Sequence, residues 1–420
     1  MANQARGGSP TLVRRLGLFD AVMIGLGSMI GAGVFAAFAP AAAAAGAGLL
    51  IGLAIAGFVA YCNASSSAQL AAQYPNSGGT YVYGRERLGP WPGFFAGWSF
   101  VIGKTASCAA MALTFAAYAV PEEWSKPAAV AAIVGLTAVN YFGVTRTAGL
   151  TRVIVLTVLT VLALVVIAGA TGVGDAAEQA SNGLTTGGWY GVLQSAGLLF
   201  FAFAGYARIA TMGEEVREPA RTIPRAIIIA LTVTLIVYVI IALTLLLALG
   251  PEQLATSVAP LVDVVVNREW TWAGPVVRVG AALASLGALL ALIAGVGRTS
   301  FAMARGHDLP AWLGAVHPRH RVPHHAEIAL AVVVIVLVLL ADLRDAIGFS
   351  SFGVLLYYFI ANVAAFTQTS EHRRTARAWQ VMGGIGCAVL VVTLPPSSII
   401  AGIAVVACGL TYRAARLRFR

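Results

Sequence analysis

The chain has 420 residues, of which 59% are hydrophobic and 10% are charged. Soluble globular proteins carry about 25% charged residues, so this composition excludes a soluble enzyme or binding module and predicts a membrane protein with several spans. The net charge of +10 does not indicate a nucleic-acid partner, because the basic residues gather on one side of the predicted spans.

Twelve apolar segments follow one another, each near the length of about 20 residues that a membrane-spanning helix needs. We number them one to twelve, and they cover residues 17–45, 47–70, 93–120, 127–143, 148–173, 189–212, 224–249, 273–299, 326–341, 346–367, 379–394 and 397–413. The predicted organisation is a cytoplasmic N-terminus at 1–16, a ten-helix core at 17–368, and helices 11 and 12 with a cytoplasmic C-terminus at 369–420.

The distribution of basic residues predicts the orientation of these segments. With the N-terminus in the cytoplasm, 20 Lys and Arg residues face the cytoplasm, and only Lys126, Arg268 and Arg344 face the other side. Multi-pass membrane proteins carry such an excess of Lys and Arg in their cytoplasmic loops. We therefore expect a multi-pass protein of the plasma membrane with both termini in the cytoplasm.

Segment one contains a cluster of glycines, with Gly25, Gly27, Gly31 and Gly33 inside nine residues. Each glycine costs about 1 kcal/mol relative to alanine in a helix. A membrane helix breaks only where its freed backbone groups meet polar partners, so a break here indicates a cavity and a transported solute. The alternative is close packing of helices through small residues. Segment one alone does not decide between the two.

Segment three carries Lys104, which lies about eleven residues past Gly93 and therefore roughly 16 Å into the membrane. A lysine at this depth is costly and is by default a candidate for a functional site. No Asp or Glu lies at a similar depth in any segment. Lys104 is therefore neutral, held by helix carbonyls, or paired with a bound substrate. A role in substrate binding or coupling competes with a structural tie to helix ends.

Segment six has a weak point of its own at residues 200–208, followed by charged residues at its cytoplasmic end. Segments one and six open successive groups of five spans, so the two groups have opposite orientation. Two interrupted helices at matching places in inverted halves point to a transporter binding site. Arg208, Glu214 and Glu215 form either ion pairs that latch an inner gate or an ordinary solvated helix end.

The histidine-rich loop at 317–325 contains two prolines and two arginines but no carboxylate or thiolate. We therefore expect a solvated basic loop rather than a metal site. Cys62, Cys108, Cys387 and Cys408 all lie in apolar segments, and their spacing suggests neither a metal site nor a disulfide framework. We expect no metal and no organic cofactor.

Several motifs together resemble those of the amino acid–polyamine–organocation superfamily of permeases, closest to its cationic amino acid transporter-like branch. They are GSMIGAGVF at 27–35, PNSGGTY at 75–81, FFAFAGY at 200–206, EEVREP at 214–219 with IP at 223–224, and MAR at 303–305 with LP at 309–310. The resemblance covers segments one to ten. It implies an all-α polytopic membrane protein of 12 transmembrane helices, with a five-plus-five inverted repeat and broken helices 1 and 6.

The resemblance also implies a substrate site between segments one, three, six, eight and ten. The substrate carboxylate then meets the backbone N–H groups of Ala32 and Gly33, and the amine meets the carbonyls of Met29, Phe201 and Ala204. Phe201 would cover the substrate as a gate, and its alternative role is ordinary packing. The substrate-binding residues expected on this basis are Met29, Ile30, Gly31, Ala32, Gly33, Lys104, Phe201, Ala202, Ala204 and Gly205. The expected gating residues are Phe201, Arg208, Glu214 and Glu215.

The sequence departs from the family pattern at three positions. Ala32 replaces a common hydroxyl residue, Ala207 replaces the usual acidic residue after the break in segment six, and Val158 stands where some relatives have a coupling lysine. Proton coupling through a lysine in segment five is therefore not expected.

The prediction from these observations is a secondary active transporter that moves amino acids, neutral ones in particular, across the plasma membrane by alternating access. A transporter or exchanger of cationic amino acids or polyamines is the alternative within the same class. A non-transporting amino acid sensor is the alternative of another class, and an enzyme is not expected. The expected partners are the amino acid, the lipid bilayer, and a coupling proton or a counter-substrate.

Overall fold

The structure of the chain is a computed structural model, and it describes residues 16–75, 78–143, 148–171, 187–320 and 322–418. The side chain of Ala32 lies outside this description, as do Asn76 and Ser77 of the predicted motif at 75–81. Six arginines also lie outside it, namely Arg6, Arg14, Arg15, Arg146, Arg321 and Arg420.

The described chain is built of α-helices joined by short connections. In chain order they are α1 Leu18–Ala36, α2 Phe38–Ala45, α3 Leu49–Gln73, α4 Gly79–Leu88, α5 Pro90–Ala119, α6 Ser125–Tyr141, α7 Ala148–Ala170, α8 Gly188–Phe203, α9 Ala207–Ala210, α10 Pro219–Thr256, α11 Pro260–Asn267, α12 Ala273–Arg305, α13 His324–Leu340, α14 Leu343–Phe366, α15 Arg377–Thr393 and α16 Pro396–Arg418. Helices are the expected form for these sequences, because a bilayer offers no water to satisfy an exposed backbone.

Nine stretches of described helix are long and apolar enough to cross a membrane. Two further apolar helices, α13 and α15, are shorter. The prediction of an all-α polytopic membrane protein is confirmed, whereas the count of twelve spans is not.

Packing of the helices follows the exchange that an inverted repeat requires. Segments one and seven (α1 and α10) pack together, and so do segments six and two (α8 and α3). The second pair corresponds to the first because segment six is the counterpart of segment one and segment two is the counterpart of segment seven, each five segments away. The pair of segments five and eight (α7 and α12) corresponds in the same way to the pair of segments ten and three (α14 and α5). These contacts therefore match between the two groups of five segments, as an inverted repeat requires.

Two of the segments that the family resemblance assigns to the site lie deepest in the bundle. An apolar run of 18 residues within the stretch Gly188–Ala210, which contains α8 and α9, is 83% buried, and for α5 the share is 78%. For α16 the share is only 22%, so this helix lies at the periphery. The division of the chain at residue 368 stays a prediction.

Both described chain ends lie on one face of the bundle, which we call the terminal face. The backbone of Leu16 pairs with Val216 in an isolated parallel bridge. On the same face the Tyr83 hydroxyl donates to the Ala210 carbonyl at 3.3 Å. Neighbouring Tyr81 contacts Asp308, which also binds Arg413 of the last helix. These contacts join the start of α1, the end of segment six and the end of α16.

Both helices that the sequence predicts to break are interrupted, but one of them at a different place. Segment one runs as an unbroken α-helix from Leu18 to Ala36, through all four glycines, and is divided from α2 at Ala37. The prediction of a break within the glycine cluster is therefore wrong. In segment six the chain leaves the α-helix for a 3-10 turn at Ala204–Tyr206, where the sequence predicted the weak point.

Candidate functional site

The glycines of α1 and of segment six serve close contact between the two elements. A Cβ atom on Gly33 would lie 2.5 Å from the Cβ atom of Ala202, and one on Gly205 would lie 2.3 Å from the Ser28 carbonyl oxygen. Real side chains do not approach so closely, so only glycine fits at these two positions. The packing alternative that the sequence left open is therefore what this structure shows for the glycine cluster.

The backbone amides of Ala32 and Gly33 lie inside the continuous helix α1 and not at a helix N-terminus. Amides within a helix donate to the carbonyl four residues earlier, and only the first turn of a helix offers free donors. The free N–H groups that the resemblance implies for a substrate carboxylate are thus absent from this described helix. The reason is that Gly33 is used for contact with Ala202 and not for a change in backbone direction.

Tyr238 of α10 binds two of the carbonyl groups at the predicted site. Its hydroxyl lies 2.7 Å from the Met29 carbonyl oxygen and 3.0 Å from that of Ala202, and it donates its one proton between them. The ring is fully buried and packs edge to face on Phe203. The carbonyl of Met29, one of the three assigned to the substrate amine, is therefore satisfied by the protein itself.

Lys104 donates a hydrogen bond to a second of the three carbonyls that the resemblance assigns to the substrate amine. The Lys104 ammonium donates to the Ala204 carbonyl at 3.2 Å, and the Tyr358 hydroxyl lies 3.4 Å from the same oxygen. The Lys104 side chain is buried, and the described residues offer it no ion pair. Of the alternatives raised by the sequence, the structure shows a lysine held by a carbonyl, at the break in segment six.

The remaining predicted binding residues that the structure describes surround these contacts, and all of them are buried except the half-buried Gly205. Met29 and Ile30 of α1 are buried, and so are Phe201, Ala202 and Ala204 of segment six. Gly31 is buried as well, and a Cβ atom on it would lie 2.9 Å from the Cβ atom of Ala288 in α12. The structure thus brings the predicted residues of segments one, three and six together in the buried interior. Their roles in substrate binding stay predictions.

At the terminal face, one ion pair lies at the end of segment six and another joins segments one and five. Arg208 and Glu215 form an ion pair at 3.4 Å, whereas Glu214 is exposed and has no ion pair among the described residues. Arg152 of α7 binds Asp20 at the start of α1. The pairing of Arg208 with Glu215 agrees with the predicted latch, and its role in gating stays a prediction.

The two motifs at 75–81 and 303–310 meet at a buried carboxylate on the terminal face. Asp308 is 5% exposed, and it accepts hydrogen bonds from Tyr81 and Arg85, both at 2.7 Å, and from Arg413. Burial, together with the neighbouring Asp308, raises the pKa of Tyr81 to about 12. Tyr81 therefore stays a hydrogen-bond donor at any physiological pH, and the cluster locks α4 to the loop after α12.

Sequence reasoning missed the partners of these groups. Tyr238, Tyr358 and Arg298 carry no local pattern, although a tyrosine or an arginine inside an apolar segment is itself a weak signal. The Asp20–Arg152 pair joins residues 132 positions apart, so spacing along the chain does not reveal it. Asp308 stood inside a recognised motif, but its three partners come from α4 and α16.

The histidine-rich loop and the cysteines show no arrangement suited to a metal. Over the described residues, no three His, Cys, Asp or Glu side chains come together as a candidate metal site. The rings of His317, His320 and His324 lie around Tyr141 instead.

A cavity of about 260 Å³ opens between segments one, five, six and eight on the terminal face. Its walls include Ser28 of α1, Arg208 and Glu215 of the segment that follows the break, and Arg298 of α12. Ser28 is also the residue whose carbonyl contacts Gly205, so the cavity ends next to the closed site.

Comparison with known proteins identifies relatives along almost the whole chain. The amino acid permease family model matches residues 20–405. An uncharacterized transporter of Mycobacterium tuberculosis (strain ATCC 25618 / H37Rv) is 59% identical over 399 residues, covering 95% of this chain and 90% of the relative.

More distant relatives have names that state a substrate class. The branched-chain amino acid permease of Bacillus subtilis (strain 168) is 26% identical over 403 residues, covering 90% of this chain and 86% of the relative. A chloroplastic cationic amino acid transporter of Arabidopsis thaliana is 27% identical over 382 residues, covering 84% of this chain and 65% of the relative. With the match at 20–405 and the helical membrane fold, the chain belongs to the amino acid permease family, within the amino acid–polyamine–organocation superfamily.

Proposed function

We propose that the chain is a secondary active transporter that carries neutral amino acids across the plasma membrane by alternating access. The observation that carries the choice of substrate is the position of Lys104. Its ammonium lies on the Ala204 carbonyl at the break in segment six, 3.2 Å away, with no carboxylate paired to it among the described residues.

The positive charge of Lys104 would repel a positively charged side chain of a bound substrate. Two like charges about 4 Å apart repel by about 4 kcal/mol at an effective dielectric constant near 20. This energy corresponds to roughly a thousandfold loss in affinity. An arginine, lysine or polyamine substrate whose cationic side chain approaches Lys104 would suffer that loss, whereas a neutral side chain would not.

The contacts of Lys104 and Tyr238 also support a cycle of alternating access. In this structure protein donors satisfy the carbonyls of Met29 and Ala204, which the family resemblance assigns to the substrate amine. A substrate ammonium binds there only after these donors have moved away. Loading the site therefore requires α1 and the break in segment six to separate from their present contact, which is the kind of movement that exposes a site to one side.

We further assign transport to residues 17–368, and the terminal face to the cytoplasm with both chain ends. The excess of arginines on that face supports this orientation. Arg85, Arg152 and Arg413 are placed there by their contacts with Asp308 and Asp20.

The decisive experiment is uptake of radiolabelled leucine into liposomes that contain the purified protein, with unlabelled competitors. We expect leucine, alanine and serine to compete, and arginine, lysine and putrescine to compete at least a hundredfold more weakly. Equal competition by arginine and leucine would refute the charge argument. Uptake with and without an imposed proton gradient, and with and without internal amino acid, separates proton symport from exchange.

The alternative of a cationic substrate is supported by the name of the Arabidopsis relative, and the same competition series tests it. The alternative of a sensor predicts a different pair of results. A sensor would be stabilised against heating by an amino acid, because a ligand that binds only the folded state stabilises it by mass action, yet it would show no uptake.

A further inference from the structure

The cavity on the terminal face, which we call the vestibule, has walls of two kinds. Its polar walls are Ser28, Arg208, Glu215 and Arg298, and its apolar wall includes Ile24 and Ala294. The volume is about 260 Å³. Pockets for drug-sized ligands measure about 300–1,000 Å³, so the vestibule suits a smaller solute such as a single amino acid.

Arg298 supplies the vestibule with a cation that is not neutralised by an ion pair. Arg208 is paired with Glu215, but Arg298 has no ion pair within the part of the chain that the structure describes. The charges that act on Arg298 are those of Arg208, Glu215 and Glu327. Glu327 does not line the cavity, whereas Arg208, Glu215 and Arg298 do. The wall itself therefore carries two guanidinium groups and one carboxylate, and it offers a cation to an anionic group that enters the cavity.

Glu215 offers the opposite charge on another element of the cavity wall. It belongs to the segment after the break in segment six, whereas Arg298 belongs to α12. The contact of Glu215 with Arg208 is 3.4 Å, longer than the 2.7–2.9 Å of a strong charge-assisted hydrogen bond. A carboxylate in such a loose pair keeps acceptor capacity for a third group. The vestibule therefore presents separated donors and acceptors to one small solute.

The vestibule adjoins the closed site. Ser28 lines it, and the backbone carbonyl of Ser28 is in contact range of Gly205. A solute that leaves the site toward the terminal face, when α1 and segment six separate, would enter the vestibule directly.

We propose that the vestibule is a second amino acid site, in which Arg298 binds the carboxylate of the solute and Glu215 binds its ammonium group. The proposal rests on the proposed function, since the solute is the transported amino acid on its way to or from the cytoplasm. Its apolar side chain packs on the wall formed by Ile24 and Ala294. The site would hold the substrate next to the inner gate and set the affinity on the cytoplasmic side.

The test uses a thiol introduced into the wall of the vestibule. Cys62, Cys108 and Cys387 are buried and only Cys408 is exposed, so the parent protein is the full chain with Cys408→Ser and Ala294→Cys. Labelling of the introduced thiol by the neutral reagent methyl methanethiosulfonate is measured on ice with and without leucine. On ice the transport cycle is slow, so protection reports direct occupation.

We expect leucine to protect the thiol in the parent protein. Arg298→Gln should raise the leucine concentration for half-protection roughly tenfold or more, because a charge-assisted hydrogen bond to the carboxylate is lost. Arg298→Lys should retain part of the protection. Acetate and isoamylamine, which each carry one of the two charged groups, should protect more weakly than leucine.

The matched control is Arg305→Gln on the same helix, two turns further along. The Arg305 guanidinium lies over the Phe301 ring and does not line the vestibule, so this variant should leave protection unchanged. Equal effects of the two substitutions, or no protection in the parent protein, would overturn the proposal.

Leucine uptake measured on the same preparations separates this proposal from the proposed function. Uptake without protection of the thiol refutes the vestibule site and leaves the transporter assignment standing. Protection without uptake supports the vestibule site and refutes transport. A second measurement uses liposomes in which leucine is varied on one side at a time. Arg298→Gln should raise the half-saturating concentration on the side of the terminal face only, and an equal rise on both sides contradicts the proposal.

Discussion

Segment one and segment six both carry the sequence marks of a broken helix, yet only segment six breaks where those marks lie. Segment one stays helical from Leu18 to Ala36, and segment six turns at Ala204–Tyr206. The difference is in the partners of the backbone. The carbonyl of Ala204 meets a donor from α5 and another from α14, whereas α1 keeps its own helical hydrogen bonds and uses Gly33 for contact. Glycine permits a break but does not require one, because α1 stays helical although the neutral Tyr238 hydroxyl donates to its Met29 carbonyl. What segment six has in addition is a charged donor, Lys104, at the carbonyl of its break.

The two segments also differ in what their glycines touch. Gly33 of α1 faces the side chain and backbone of Ala202, and Gly205 of segment six faces the backbone of Ser28. Each segment thus uses one glycine to approach the other. The pair forms a single contact, and opening the site means separating it.

The largest loss of transport activity should come from placing a side chain between α1 and segment six. Gly33→Val, or Gly31→Val beside it, is expected to reduce leucine uptake to background while the protein still inserts in the membrane. The reason is that a Cβ atom at Gly33 would lie 2.5 Å from the Ala202 Cβ atom, which neither backbone tolerates without moving. Uptake into liposomes and the amount of protein in the membrane fraction are the two measurements.

A glycine in open space provides the control for this substitution. A Cβ atom on Gly135 of α6 meets nothing within 4 Å, so Gly135→Val should leave uptake close to that of the parent protein. Normal uptake by both Gly33→Val and Gly31→Val would show that the contact is not part of the transport cycle.

The second effect concerns Lys104, the charged donor at the break in segment six, which has no counterpart among the described contacts of α1. Lys104→Met removes the positive charge at the Ala204 carbonyl and leaves Tyr358 as the remaining donor there. We expect the concentration of arginine needed to inhibit leucine uptake by half to fall about a hundredfold or more, since repulsion between like charges is removed. The pH dependence of uptake should change as well. Unchanged selectivity together with an unchanged pH profile would place Lys104 outside the site.

A smaller effect is expected at Phe201, on the last turn of α8 before the break. Phe201→Ala removes a ring that is 5% exposed and should raise the half-saturating leucine concentration roughly tenfold, because the substrate loses its apolar cover. Phe201→Ala should lower the amount of expressed protein less than it weakens retention of bound leucine. Phe359→Ala, at a ring of α14 that is 36% exposed, is the control. The same kinetic constants for Phe201→Ala and the parent protein would count against a gate.

The smallest effect is expected at Tyr238, which ties α1 to segment six without belonging to either. Tyr238→Phe removes one hydroxyl that lies between the carbonyls of Met29 and Ala202. A buried hydrogen bond contributes about 1 kcal/mol, so the variant should unfold at a slightly lower temperature in a thermal-shift measurement. It should also load substrate more readily, because the Met29 carbonyl is released. A higher melting temperature with weaker leucine binding would contradict this role.

The predicted site shows how far reasoning from the sequence reaches. Segments one, three and six do converge, and the weak point at Ala204–Tyr206 was placed correctly from residues 200–208. The convergence of Lys104 with Ala204 was implied only by the family resemblance, because these residues lie 100 positions apart. Segment one is interrupted at Ala37 and not among its glycines, since the same glycines suit a break and a close contact equally well.

By itself, the sequence determined the class of the molecule and its family. Long apolar segments must be helical in a bilayer, because no water satisfies their backbone groups, and this requirement is local to each segment. The ordered motifs from residue 27 to residue 310 were enough to indicate a permease. Only the tertiary structure shows that two of these motifs contact each other, through the hydrogen bond from Tyr81 to Asp308.

The tertiary structure alone decided which backbone groups are free and which are occupied. Tyr238 donates a hydrogen bond to the Met29 carbonyl, and Lys104 donates one to the Ala204 carbonyl. Arg298 lines an open cavity and has no ion pair among the described residues. Each of these depends on the distance between helices that are remote in sequence. A pattern within one helix fixes which side chains share a face, but the partner across the interface is set by how the helices pack.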